Sequence, residues 1–108
     1  MTIGVLTFEV HLPEAGSLKG KRQVMRRLKD RLRSRFNVAV SELEDHADVW
    51  QRAEVAVVSV AARKDHLEVL FEAVVGAVES LIPGHLVETG REYLDASDGG
   101  PSVWAGDW

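Results

Sequence analysis

Glu42, Glu44, Asp45 and Asp48 stand close together with His46 among them. Carboxylates at this density could hold a hard cation, which takes several oxygen ligands from a constrained loop. The run lacks the glycine and the spacing of an EF-hand loop, so it reads as a solvated turn. His11, His46, His66 and His85 are scattered, with no HExxH motif and no pair four apart on a helix. Cysteine is absent, which excludes disulfides, thiolate metal sites and thiol nucleophiles. Ser17, Ser41 and Ser59 are not set in a GxSxG elbow. Gly16-Ser17-Leu18-Lys19-Gly20 could draw an anion to a helix start, yet it lacks the Walker spacing. These residues spell out no catalytic site, metal or cofactor, and the expectation is a non-enzymatic binding protein.

The stronger signal is charge. Residues 17–36 hold Lys19, Lys21, Arg22, Arg26, Arg27, Lys29, Arg31, Arg33 and Arg35 against one acid, Asp30. Nine of the thirteen Lys and Arg therefore lie in one stretch, while the other 88 residues keep four bases and sixteen acids. Ser17 suits an N-cap, its hydroxyl taking an orphan N–H of the first turn. Leu18, Val24, Met25, Leu28, Leu32 and Phe36 fall within one helical stripe that must face a core. Beside it Lys19, Arg22, Arg26, Lys29 and Arg33 recur three or four apart as a cationic ridge, with Lys21 assigned to the same basic surface. Each like-charged pair at that spacing costs ~0.2–0.5 kcal/mol, which burial of the apolar stripe must outweigh. The ridge is either a solvated face neutralised by acids of the same fold or a seat for a polyanion such as RNA. The acidity of the remainder opposes indiscriminate nucleic-acid binding.

The elements that position this helix follow from periodicity. At 108 residues the chain supports one domain with a single core. The opening residues lack a basic region and a cleavage site, and no apolar run is long enough to span a bilayer. A cytoplasmic protein without membrane attachment is expected. Residues 2–12 alternate, with Leu6, Phe8, Val10 and Leu12 on one face and Val5, Thr7, Glu9 and His11 on the other. Residues 37–43 make a second strand and residues 44–51 a polar connection carrying Trp50. Residues 52–62 make a third strand whose continuous apolar middle suits a central place. Asp65-His66-Leu67-Glu68 reads as a capping box opening a second helix, which Pro83-Gly84 stops. Leu67, Leu70, Phe71, Val74, Val78, Leu81 and Ile82 form its stripe. Residues 86–94 make a fourth strand with a bulge at Gly90. Residues 1–94 form the domain, and residues 95–108 a flexible tail.

The order βαββαβ predicts an α+β, ferredoxin-like sandwich: a four-stranded antiparallel sheet of order 4-1-3-2 with two helices on one face. The open face offers no aromatic on the central strands, so base stacking on the sheet is rejected as a way of holding RNA. Contact would run through phosphates on the basic helix. The same open face, with Val5 and valines of the third strand on it, predicts an apolar patch that a homodimer could cover, with Trp50 as a contact anchor.

Ser17-Leu18-Lys19, Lys21-Arg22, Arg35-Phe36-Asn37-Val38, Glu42 and Asp48-Val49-Trp50-Gln51-Arg52-Ala53, taken in order, resemble the YlxP-like family of small bacterial proteins, a domain of unknown function. The resemblance runs over about residues 2–94. It implies a ferredoxin-like fold and brings no established activity. Genes of similar proteins often lie beside translation-initiation and ribosome-maturation genes, which implies RNA or the ribosome as partner. The tail with Trp104 and Trp108 falls outside the pattern. Two expectations result. One is an RNA- or ribosome-associated protein that binds through Lys19, Lys21, Arg22, Arg26, Lys29 and Arg33. The other is a homo-oligomeric small-ligand-binding or regulatory module meeting its copy through Val5 and Trp50.

Overall fold

A computed structural model describes residues 1–12, 16–43, 51–82 and 85–95. The elements run β1 (Thr2–His11), α1 (Leu18–Arg35), β2 (Ala39–Leu43), β3 (Arg52–Ala61), α2 (Lys64–Leu81) and β4 (Leu86–Asp95). The four strands form one sheet in the order β2-β3-β1-β4, the expected order read from the other edge, and every pairing is antiparallel. The expected tail, Trp50 and the acidic run of residues 44–50 lie outside the described residues, apart from Asp95, which ends β4 opposite Thr2.

Strict alternation in β1 and β3 builds the two faces. Leu6, Phe8 and Val10 pair with Val57, Val55 and Ala53 and are wholly enclosed. Met25, Leu28 and Leu32 of α1 and Phe71, Val74 and Val78 of α2 join them in one core. Both helices therefore lie on the same face. The approach is close at Gly4, where an added Cβ would come within 2.8 Å of the Phe71 ring and 3.1 Å of Leu67. Only a residue without a side chain lets α2 sit this near β1.

Local chemistry explains the ends of the elements. Ser17 caps α1 as expected, its Oγ accepting from the Gly20 N–H at 3.1 Å. The capping box expected at Asp65 does not form. α2 begins at Lys64, with Arg63 as N-cap and no side-chain capping bond. Asp65 thus lies inside the first turn, where its carboxylate accepts from the next N–H, that of His66, and from Arg63 at 2.9 and 3.1 Å. An acid there still complements the helix dipole. β2 starts at Ala39, two residues later than expected. The Asn37 carbonyl is instead taken by the buried Ser59 hydroxyl at 2.7 Å. In β4 the register skips Thr89 between Glu88 and Gly90, placing the bulge where Gly90 marked it. Arg91, on the helix side of β4, donates to Glu88 at 2.7 Å and to Glu72 of α2 at 3.0 Å. The Glu88 bond, with that to Glu72, raises its pKa above the ordinary guanidinium value against the cost of partial burial.

Candidate functional site

α1 is an 18-residue helix with only one stripe enclosed. Lys21, Met25, Leu28 and Leu32 are its buried residues, and the spacing four, three, four places them on one line. Lys19, Arg22, Arg26 and Arg33 are exposed and Lys29 is half-buried. Among the described residues, none of these five lies within salt-bridge distance of a carboxylate. Lys19 to Arg33 spans about 21 Å at 1.5 Å per residue. Arg27 and Arg31, on the other flank, share a shallow outer surface with Gln23, Arg26, Asp30 and Ser34. Arg35 lies over the Phe36 ring, 5.6 Å from its centroid.

Lys21 departs from this surface. It is only 3% exposed, and its Nζ lies 3.3 Å from Glu42 Oε1. Glu42 stands opposite Val55 in the register, on the helix-covered side of β2. The ion pair ties α1 to the edge strand, and the lysine stem fills the stripe beside Met25. The structure therefore brings five of the six named basic residues together and sets the sixth in the core. The spacing 21, 25, 28, 32 carries that information in the sequence, where the charge of Lys21 points the other way. A second cationic flank, Arg27-Arg31-Arg35 at intervals of four, is equally legible in the sequence.

The neighbouring helix has the opposite sign. α2 carries Asp65, Glu68, Glu72 and Glu79 against Lys64, all exposed. The helical layer thus presents a cationic half and an anionic half, and an approaching polyanion is admitted to α1 and turned away from α2.

The open sheet face carries Ile3, Val5, Thr7 and Glu9 of β1 beside Val60, Val58, Ala56 and Glu54 of β3. No aromatic stands on either central strand of this face. Val58, Val60, Leu94 and Met1 are exposed, and Val5 is half-buried. At the far end Glu9 forms an ion pair with Arg52 at 3.1 Å and meets His11 at 2.9 Å. Among the described residues no group of three or more His, Asp or Glu is arranged to hold a metal ion, and no helix is long and apolar enough to cross a membrane.

These features define a small α+β protein whose antiparallel sheet is covered on one face by two helices of opposite charge. The comparisons with known proteins place it further. Residues 3–91 match the family described as "Protein of unknown function (DUF503)", and the chain belongs to that family. It is 33% identical over 78 residues to the uncharacterized protein YlxP of Bacillus subtilis (strain 168), covering 72% of this chain and 84% of that protein. Among solved structures it is similar to the de novo designed protein Foldit4, with a TM-score of 0.48, 13% identity, and coverage of 87% of this chain and 96% of that one.

Proposed function

We propose that this protein is a non-enzymatic, cytoplasmic RNA-binding protein that holds structured RNA, including ribosomal RNA, by its phosphates along α1. The observation that carries the reading is the ridge of Lys19, Arg22, Arg26, Lys29 and Arg33, which finds no carboxylate among the described residues. A cationic array that no described carboxylate matches raises the local potential and is discharged effectively by an external polyanion. Along about 21 Å it faces roughly a dozen charges of a duplex, which carries one per ~1.7 Å. Such binding reads shape rather than sequence, since α1 offers bases and no stacking ring. We read the scaffold as ferredoxin-like, a reading supported by the βαββαβ order and the β2-β3-β1-β4 sheet.

The test is retention of duplex RNA at rising salt. Five phosphate contacts at about 0.9 counterion each lose roughly 500-fold in affinity between 50 and 200 mM salt. Replacing Arg22, Arg26 and Arg33 by Ala leaves two contacts and a loss of only about 10-fold over the same range. Retention that ignores salt, or that survives the triple substitution unchanged, overturns the proposal.

A further inference from the structure

The open sheet face is not uniform. Read across the strands in the order of the sheet, one row runs Val60–Ile3–Leu94 and the next Ala39–Val58–Val5–Glu92. Further along come Ser41–Ala56–Thr7–Gly90 and then Leu43–Glu54–Glu9–Val87. The face is apolar at the end where β1 begins and acidic toward the other. At the apolar end its two edges differ in shape. β4 raises Leu94, 56% exposed. On the β2 side the strand is only five residues long, and a shallow hollow opens there, lined by Met1, Ile3, Asn37, Ala39, Val58 and Val60. A knob stands at one edge and an apolar hole at the other, on the same rows.

We propose that a second copy of this chain covers this face, stacked about a two-fold axis parallel to the strands between β1 and β3. That rotation keeps each row on its own row and exchanges the edges. Ile3 then faces the partner's Val60, Val58 faces the partner's Val5, and the partner's Leu94 enters the hollow beside β2. Glu92 meets the partner's Ala39, and in the last row Glu54 faces the partner's Glu9, whose charge is balanced by Arg52 at 3.1 Å. A two-fold axis across the strands would instead press Glu9 and Glu54 of each copy onto the apolar Val60–Ile3–Leu94 row, whereas the axis along the strands gathers the acidic rows at one edge of the interface, within reach of water. The area is sufficient. Three strands of ten residues and one of five, at ~3.3 Å per residue and ~4.8 Å between strands, make a face of roughly 550 Å². With all four rows closed, two faces remove roughly 1,100 Å² from water, which reaches the ~1,000 Å² expected of a specific interface. The helices stay outside, so the dimer displays two α1 ridges on opposite surfaces. The inference goes beyond RNA binding and does not rest on it.

The chain has no cysteine, so Val60→Cys supplies a sole thiol on the face. Its reaction with a maleimide, measured over a wide range of protein concentration, is read beside the mass from sedimentation equilibrium. The proposal expects twice the 11.9 kDa of one chain, with thiol protection that is lost on dilution. Leu94→Asp should give a folded monomer by circular dichroism, while Val69→Asp, on the outer side of α2 and 71% exposed, should leave the mass doubled. A monomer with a reactive thiol at every concentration overturns the proposal, leaving the face to another protein. So does a monomer whose thiol is protected regardless of concentration, which assigns the cover to the chain's own residues. A Leu94→Asp variant that remains a dimer overturns the two-fold arrangement.

Discussion

Lys21 separates scaffold from surface on α1, and a pair of substitutions decides its role. Its stem is enclosed beside Met25, and its ammonium lies 3.3 Å from Glu42, which keeps about a quarter of its side chain in water. Removing one partner of a fully buried pair costs ~3–5 kcal/mol, and an exposed pair is worth at most ~1 kcal/mol. The Lys21–Glu42 pair falls between, because water can still reach the carboxylate once the cation is gone. Lys21→Met keeps the stem and removes the charge, so it should cost about 1–2 kcal/mol. Lys21→Ala also strips about three methylenes from a packed site at ~0.8 kcal/mol each, for a total of roughly 3–4 kcal/mol. At ~4–8 °C per kcal/mol for a domain of this size, the Met variant should melt roughly 5–15 °C lower and the Ala variant lower still. Thermal and urea unfolding followed by circular dichroism measure both. RNA retention by the folded Met variant should match the parent. If Lys21→Met melts like the parent yet loses retention as Arg22→Ala does, then Lys21 acts on the surface and its assignment to the core is wrong.

Gly4→Ala should destabilise by about 1–3 kcal/mol, because the new methyl has no room against Phe71 and Leu67. Gly76→Ala, in the interior of α2 with nothing within 4 Å of the added carbon, should stabilise by about 0.5–1 kcal/mol. Denaturant midpoints compare the two, and a Gly4→Ala midpoint equal to or above the parent's would refute the packing at Gly4. Ser17→Ala should cost ~1 kcal/mol through loss of the Gly20 N–H bond, whereas Ser17→Gly should cost only a few tenths. A Ser17→Ala variant that melts with the parent would show that the hydroxyl is not the cap.

Much of this architecture was legible because short-range periodicity records it. Alternation in β1 sorted Leu6, Phe8 and Val10 from Val5, Thr7 and Glu9, and the register with β3 keeps that division. The stripes of α1 and α2, the cap at Ser17 and the bulge near Gly90 are local events, governed by residues within a turn or two. The concentration of cations in α1 is likewise a property of the chain itself. Whether those cations are free is not. Lys21 belongs to the core because Glu42, 21 positions away, arrives beneath it on an edge strand, and only the pairing of β2 with β3 brings it there. The failed capping box has the same origin on a smaller scale, since α2 begins where β3 delivers the chain and leaves Asp65 too far inside its first turn to cap it. The knob at Leu94 and the hollow beside β2 come from distant segments meeting on one row. Periodicity fixes which side of an element is apolar; which groups meet across the sheet, and which charges stay unmatched, depends on contacts between residues remote in sequence, and those exist only once the chain has folded.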